Sequence, residues 1–196
     1  MRALILFGSP RKNGNTATLL KPVKEELSAA GIDISYFDVY KKSIRGCTAC
    51  LACQKDQDYI CCVIDDDMRE ILQELVQSDV IIIAAPIYAW SIPAPMKAVI
   101  DRMIYSTCKY YGDNPNGKAL MQGKILYLIT TCGYQVEKGA DLYIETMKRY
   151  CKHCGLTYGC ALAKRHRNLN ESFMSDDKEA RARKFSREII NQHSHE

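Results

Sequence analysis

The sequence predicts an α/β domain built on a five-stranded parallel sheet with helices on both faces, and three observations predict it. Short apolar runs alternate with helix-length segments along the 196-residue chain, the order that produces strand-helix-strand units. Most of the runs are continuously apolar, as in strands buried on both faces. Loops rich in Gly, Pro, Ser and Thr follow the first, third and fourth runs directly, where ligands bind in such sheets.

The elements follow in order. Ala3-Leu4-Ile5-Leu6-Phe7 reads as the first strand, and a helical pattern occupies 16–30. A second strand is expected over 32–39, a helix over 67–77, a third strand over 80–85, and a helix over 94–106. The fourth strand is expected over 125–130, a helix over 139–154 closed by Gly155, a fifth strand over 157–163 and a terminal helix near 176–192. Chain length and a hydrophobic content of 47% fit one domain over 1–196 with a sizeable core, burying about 70% of the surface that the unfolded chain exposes. The Cys-rich segment at about 40–66 is read as an insertion in it.

The loop after the first strand, Gly8-Ser9-Pro10-Arg11-Lys12-Asn13-Gly14-Asn15-Thr16, has the makings of an anion site. Gly8 and Gly14 allow tight turns, while Ser9, Asn13, Asn15 and Thr16 offer side-chain donors. The helix that follows would aim free N–H groups and its positive dipole end at the same spot. A Walker A loop would carry Lys-Ser/Thr after the second glycine, where Asn15-Thr16 stands, so a P-loop NTPase is excluded. A dinucleotide fingerprint would carry glycine where Pro10 stands. A monophosphate remains, for which Arg11 supplies a bidentate, charge-assisted partner. An ordinary turn capped by Asn15 is the plainer alternative.

These residues resemble the flavin-phosphate loop of the NAD(P)H-dependent FMN reductases of the flavodoxin-like superfamily. The segment from Ala85-Pro86-Ile87-Tyr88-Ala89-Trp90-Ser91 to Asp101-Arg102 is similar to that family's second flavin loop and the helix after it. Thr131-Cys132-Gly133 resembles the stretch that wraps the pyrimidine edge of the ring. The resemblance implies a flavodoxin-like fold with strand order 2-1-3-4-5, FMN as cofactor, and a homodimer or homotetramer. It implies that Pro86 and Ile87 shape the second loop, whose amides meet ring heteroatoms, while Tyr88 and Trp90 wall the ring plane beside Ala89. Trp90, the only tryptophan, fits core or interface packing equally. Gly133 would permit close backbone approach, and the Cys132 thiol would be a flavin neighbour. Asp101 reads as a partner in a structural salt bridge, and Arg102 as a residue that caps, pairs or contacts a subunit. No catalytic residue is named, because hydride transfer to a flavin needs positioning rather than a protein acid or nucleophile.

Between the two loops lie Cys47-Thr48-Ala49-Cys50-Leu51-Ala52-Cys53 and Cys61-Cys62. Two consecutive C-x2-C spacings gather three thiolates in a small volume, as at the start of a ferredoxin-type [4Fe–4S] site. The segment resembles the iron–sulfur flavoprotein branch, in which Cys62 aligns best as the fourth ligand and Cys61 is the competitor. The gap after Cys53 exceeds the usual one, which a loop absorbs at small entropic cost. Zinc, and free or reversibly oxidised thiols, remain alternatives. Structural disulfides are disfavoured. A second set, Cys151, His153, Cys154 and Cys160, reads as packing rather than a metal site.

Net charge is +4, with an excess in the second half at Lys164-Arg165-His166-Arg167 and 178–187. Interleaved acids make this a solvated face rather than a nucleic-acid footprint. The longest apolar stretch, 80–87, is too short to span a bilayer, and Met1-Arg2 leads into a strand rather than a signal peptide. The expectation is therefore a cytoplasmic oxidoreductase with no nucleic-acid or membrane partner. The resemblance implies NADH or NADPH as donor and a quinone, another flavin or a protein as acceptor. An FMN/iron–sulfur electron carrier and a thiol-based redox sensor are the alternatives from other functional classes.

Overall fold

A computed structural model describes residues 1–111, 116–166 and 172–192. Its five strands are β1 (Arg2–Phe7), β2 (Asp33–Asp38), β3 (Val80–Pro86), β4 (Ile125–Cys132) and β5 (Thr157–Arg165). All neighbours are parallel, in the order β2-β1-β3-β4-β5. The helices are α1 (Asn15–Ala29), α2 (Met68–Gln77), α3 (Ala94–Thr107), the single turn α4 (Val136–Gly139), α5 (Asp141–Cys154) and α6 (Asp176–Gln192).

Side-chain alternation along the central strands divides the core in two. Leu4, Leu6, Ile81, Ile83, Leu126 and Leu128 pack with α2, α3 and α5 on one face. Ala3, Ile5, Phe7, Val80, Ile82, Ala84, Tyr127 and Ile129 pack with α1 and α6 on the other. The register sets Phe7 beside Ala84 and Ala84 beside Ile129; β3 and β4 run on past the end of β1, to Pro86 and Cys132, and all three release their loops along one edge. Arg183 of α6 fastens the second layer by bonding Glu26 of α1 at 2.8 Å and Glu179 at 2.7 Å.

Three details refine the sequence expectation. The outer strands β2 and β5 are only partly buried, because each has a strand neighbour on one side only. The helix expected over 139–154 is α5, which begins at Asp141, and a separate single turn, α4, precedes it. α5 ends as expected at Gly155, whose φ of 68° is a left-handed closure that suits glycine. The second cysteine set is not brought together, since Cys151 and Cys154 lie in the core beneath α5 whereas Cys160 packs on the opposite layer, 3.7 Å from Glu188.

β5 carries an irregularity opposite Tyr127, where the register steps from Leu126/Tyr158 to Leu128/Ala161. A Cβ at Gly159 would stand 2.3 Å from the Tyr127 ring, and this ring is fully buried. Gly159→Ala is accordingly expected to destabilise the fold by about 1–3 kcal/mol through overpacking. A lowered urea midpoint with an unchanged denaturant slope checks it.

Candidate functional site

The loops after β1, β3 and β4 converge on one crevice, fastened by hydrogen bonds between them. Gly8 N–H donates to Ala84 O at 2.8 Å and Ile87 N–H to Thr131 O at 2.8 Å. The buried hydroxyls of Thr16 and Thr131 bond at 2.8 Å across 115 residues of sequence. Gly8 is required here by close approach, since a Cβ would meet Met96 of α3 at 2.7 Å.

In the first loop Ser9 is buried and its hydroxyl lies 3.3 Å from both the amide and the carbonyl of Arg11. Arg11 is exposed and folds back on Gly14, with its Nε 3.4 Å from where a Cβ of Gly14 would stand. Gly14, not Asn15, occupies the N-cap; no side chain caps α1 and no acid stands in its first turn. The initial amides of the helix, from Asn15 onward, are thus left for an anion beside the Arg11 guanidinium. Asn13, next along the same loop, lines with Lys12, Lys24 and Tyr36 a groove of about 610 Å³ between α1 and β2.

The second loop is a two-residue turn closed by reciprocal bonds between Tyr88 and Ser91 at 2.8 and 2.9 Å. Its central residues have φ of 48° at Ala89 and 61° at Trp90, the left-handed values that such turns normally fill with Asn-Gly. Each costs about 1–2 kcal/mol. The strain projects the Trp90 indole outward, where it stacks on Tyr134 at 5.7 Å and donates to Lys138 O at 2.9 Å. Tyr88, Trp90 and Tyr134 are all well exposed. The amides of Ile87 and Tyr88, expected to face a ring, are already engaged within and between the loops. Those of Ala89 and Trp90 have no partner among the described residues.

In the third loop Thr131 is spent on tying the loops together. Cys132 is buried and its thiol lies 3.3 Å from Tyr134 O; burial pushes the thiol up, so it stays protonated. A Cβ on Gly133 would find only the His166 ring, at 3.8 Å. Arg165 Nε bonds Gly133 O at 3.1 Å and His166 N–H bonds Cys132 O at 3.0 Å. The basic run at 164–167 was expected to be a solvated face, yet these two residues brace the third loop; Arg167 lies outside the described residues.

The cysteine insertion builds a second site beside α3. Cys47, Cys50, Cys53 and Cys62 line one small cavity with Arg102 and Tyr105, and Cys61 is outside that lining. Left-handed Ala49 and Leu51, with φ of 53° and 56°, curl the segment inward between its cysteines. Among the described residues no metal-ligating side chains stand in a preformed shell; the four thiols share a cavity without closing on its centre. Cys53 Sγ donates to Tyr105 O at 3.1 Å, and Gln54 Nε2 ties the segment to Tyr105 O and Cys108 O at 2.6 and 3.0 Å.

Arg102 is the anchor. Its side chain is 1% exposed and pairs with Asp66, itself 4% exposed, through Nη1 at 2.6 and 2.7 Å to the two carboxylate oxygens. The same guanidinium reaches Arg45 O and Ile64 O, each at 3.3 Å. Asp66 also accepts from the Arg45 amide at 2.9 Å and the Met68 amide at 3.1 Å. Asp101 forms the expected salt bridge, to Lys97 at 2.5 Å. Sequence reasoning missed Asp66, Tyr134 and the buried Lys109; Asp66 stands in the Asp65-Asp66-Asp67 run, where only the fold distinguishes the carboxylate that meets Arg102 from exposed Asp65 and from Asp67, which meets Ser43.

A family model described as NADPH-dependent FMN reductase matches residues 1–148. The chain is 35% identical over 126 residues to an iron-sulfur flavoprotein of Archaeoglobus fulgidus, covering 64% of this chain and 54% of that one. It is 36% identical over 124 residues to an iron-sulfur flavoprotein of Methanosarcina thermophila, covering 63% of each. It therefore spans less than two thirds of the length of either relative. Among solved structures, the NAD(P)H:quinone oxidoreductase from Methanothermobacter marburgensis matches with a TM-score of 0.71 and 18% identity over 96% of both chains, a likeness of fold.

Two stability measurements check this geometry. Ala89→Gly should relieve left-handed strain and, net of the entropy glycine adds to the unfolded chain, stabilise the protein by about 0.5–1 kcal/mol, raising the urea midpoint. Asp66→Asn leaves the Arg102 charge buried without a counter-ion and should cost about 3–5 kcal/mol. Burial favours a raised Asp66 carboxyl, but the bonds from Arg102 and the two amides prevail and hold it below its ordinary value. Its stabilisation is therefore complete above the ordinary carboxyl range, about pH 4, and is lost as pH falls through the depressed value. An acid titration of stability should lose this step in Asp66→Asn.

Proposed function

The chain belongs to the NADPH-dependent FMN reductase family, and from that premise we propose that it is an FMN-dependent oxidoreductase passing electrons from NADH or NADPH to a quinone, a flavin or a protein acceptor. The observation that carries this reading is the uncapped start of α1, free of first-turn acids, bonded through Thr16 to the third loop. It supports a phosphate seat held at a fixed distance from an aromatic-walled crevice.

Arg11 and the first amides of α1 would hold the phosphate. The free amides of Ala89 and Trp90, together with Gly133, offer close backbone contacts to a ring system, while Tyr88, Trp90 and Tyr134 supply aromatic walls. Asn13 would serve from the rim, and Ser9, Pro86, Ile87, Thr131 and Cys132 by shaping the loops. Bound FMN would supply hydride acceptance and one- or two-electron delivery. The protein's own task is to orient donor and acceptor over the exposed ring face. The exposed aromatic rim supports a homodimer or homotetramer closing over the crevice, and no described helix is long and apolar enough to cross a membrane, which supports assignment to the cytoplasm.

The cysteine cavity favours a second reading, an electron carrier between proteins. Its donor set fits a cluster, with Cys47, Cys50, Cys53 and Cys62 as ligands. A [4Fe–4S] cluster there would supply one-electron carriage. Both relatives described above bear the name iron-sulfur flavoprotein.

FMN titration followed by anaerobic mixing with NADH or NADPH tests the proposal. Binding should quench the fluorescence of Trp90, the only tryptophan, and nicotinamide should bleach the flavin. Arg11→Ala should weaken FMN by about 10–100-fold, the worth of a charge-assisted contact, and leave riboflavin nearly unaffected. Absence of FMN binding would overturn the reading. Bleaching by ferredoxin but by neither nicotinamide would favour the carrier.

A further inference from the structure

Resting on the cysteine-ligand reading above, we infer that Arg102 and Lys109 are positioning residues that balance the charge of an anionic centre in the cysteine cavity and set its affinity for an electron. Both lie along the segment formed by α3 and its immediate continuation. Arg102 lines the cavity with Cys62, and Lys109 donates from Nζ to Cys53 O at 2.7 Å.

Among the described residues the charges do not balance. Lys109 is fully buried and forms no ion pair with a carboxylate among the described residues; its hydrogen bond is to a neutral peptide oxygen. Arg102 spends one side of its guanidinium on Asp66 and two carbonyls, while its buried Nε has no acceptor among the described residues. Among the described residues, two buried cations thus share one buried carboxylate. A buried charge without a counter-ion is strongly unfavourable, and the cysteine cavity adjoins both cations, Arg102 through its lining and Lys109 through the Cys53 carbonyl. Four thiolates around a [4Fe–4S] core carry a net negative charge that grows by one on reduction. Cations at Cys53 and Cys62 therefore stabilise the loaded state over the empty one and the reduced state over the oxidised one.

The test is anaerobic reconstitution of the full chain with FMN, iron and sulfide, comparing wild type with Lys109→Met, Arg102→Gln and Arg102→Lys. Iron content, redox titration of the cluster absorption and thermal unfolding of iron-free and loaded protein are read together. Lys109→Met should make reduction of the cluster at least tenfold less favourable, a potential lower by 59 mV for one electron. It should raise the melting temperature of the iron-free protein, because an unbalanced charge has been removed, and lower that of the loaded one. Arg102→Gln should lower the potential similarly, and Arg102→Lys should restore most of it. A merely structural role would lower both melting temperatures and leave the potential of the loaded fraction unchanged. That result, or a fully loaded Lys109→Met with a wild-type potential, would overturn the inference. Wild-type protein that takes up FMN but no iron would overturn the ligand set, and this inference with it, while leaving the flavin reading standing.

Discussion

The buried pair between Arg102 and Asp66 is the constraint on which the functional half of the molecule rests. It ties the middle of α3 to the far end of the cysteine insertion, and through Arg45 O to the near end as well. The N-terminal part of α3 meanwhile presses Met96 against Gly8, at the mouth of the first loop. One helix thereby sets two sites at once. A rigid helix is suited to that task, since it holds positions about 1.5 Å per residue apart where a loop would let them drift.

The flavin crevice obeys a different economy. Its loops are joined by the Thr16–Thr131 bond and by the amide of Ile87, so the polar groups that hold the loops together are withdrawn from ligand recognition. Recognition is left to helix-end amides, Arg11 and the strained Ala89-Trp90 turn. Backbone strain of this kind persists only where the surroundings over-determine it, and here the Tyr134 stack and the Lys138 carbonyl do so.

Much of the fold was legible in the sequence because its signals are local. Unbroken apolar runs such as Val80-Ile81-Ile82-Ile83 declare central strands, and Gly8, Gly14 and Gly155 mark loop and helix boundaries. The partial exposure of β2 and β5 was hidden, since an edge is a property of sheet order and not of the strand's own residues. The single turn α4 was hidden because four residues are too few to show a helical period. At the sites, the loop residues could be named but their hydrogen-bond partners could not. Ile87 and Tyr88 offered amides that the fold had already committed elsewhere. Asp66, Lys109 and Arg165 owe their roles to contacts tens of residues away, which no spacing encodes.

The insertion is zipped shut at its base. Ser43 and Asp67 exchange bonds at 2.7 and 3.2 Å, and the Arg45 amide meets Asp66 at 2.9 Å. A loop closed in this way pays only a logarithmic toll for added length, and its interior can lengthen or shorten without transmitting anything to β2, α2 or the sheet. The wide gap between Cys53 and Cys62 is then a variation the scaffold does not register. The fold fixes the base of the cysteine segment and leaves the stretch between Cys53 and Cys62 free to be re-spaced over evolutionary time while the flavin crevice beside it stays the same.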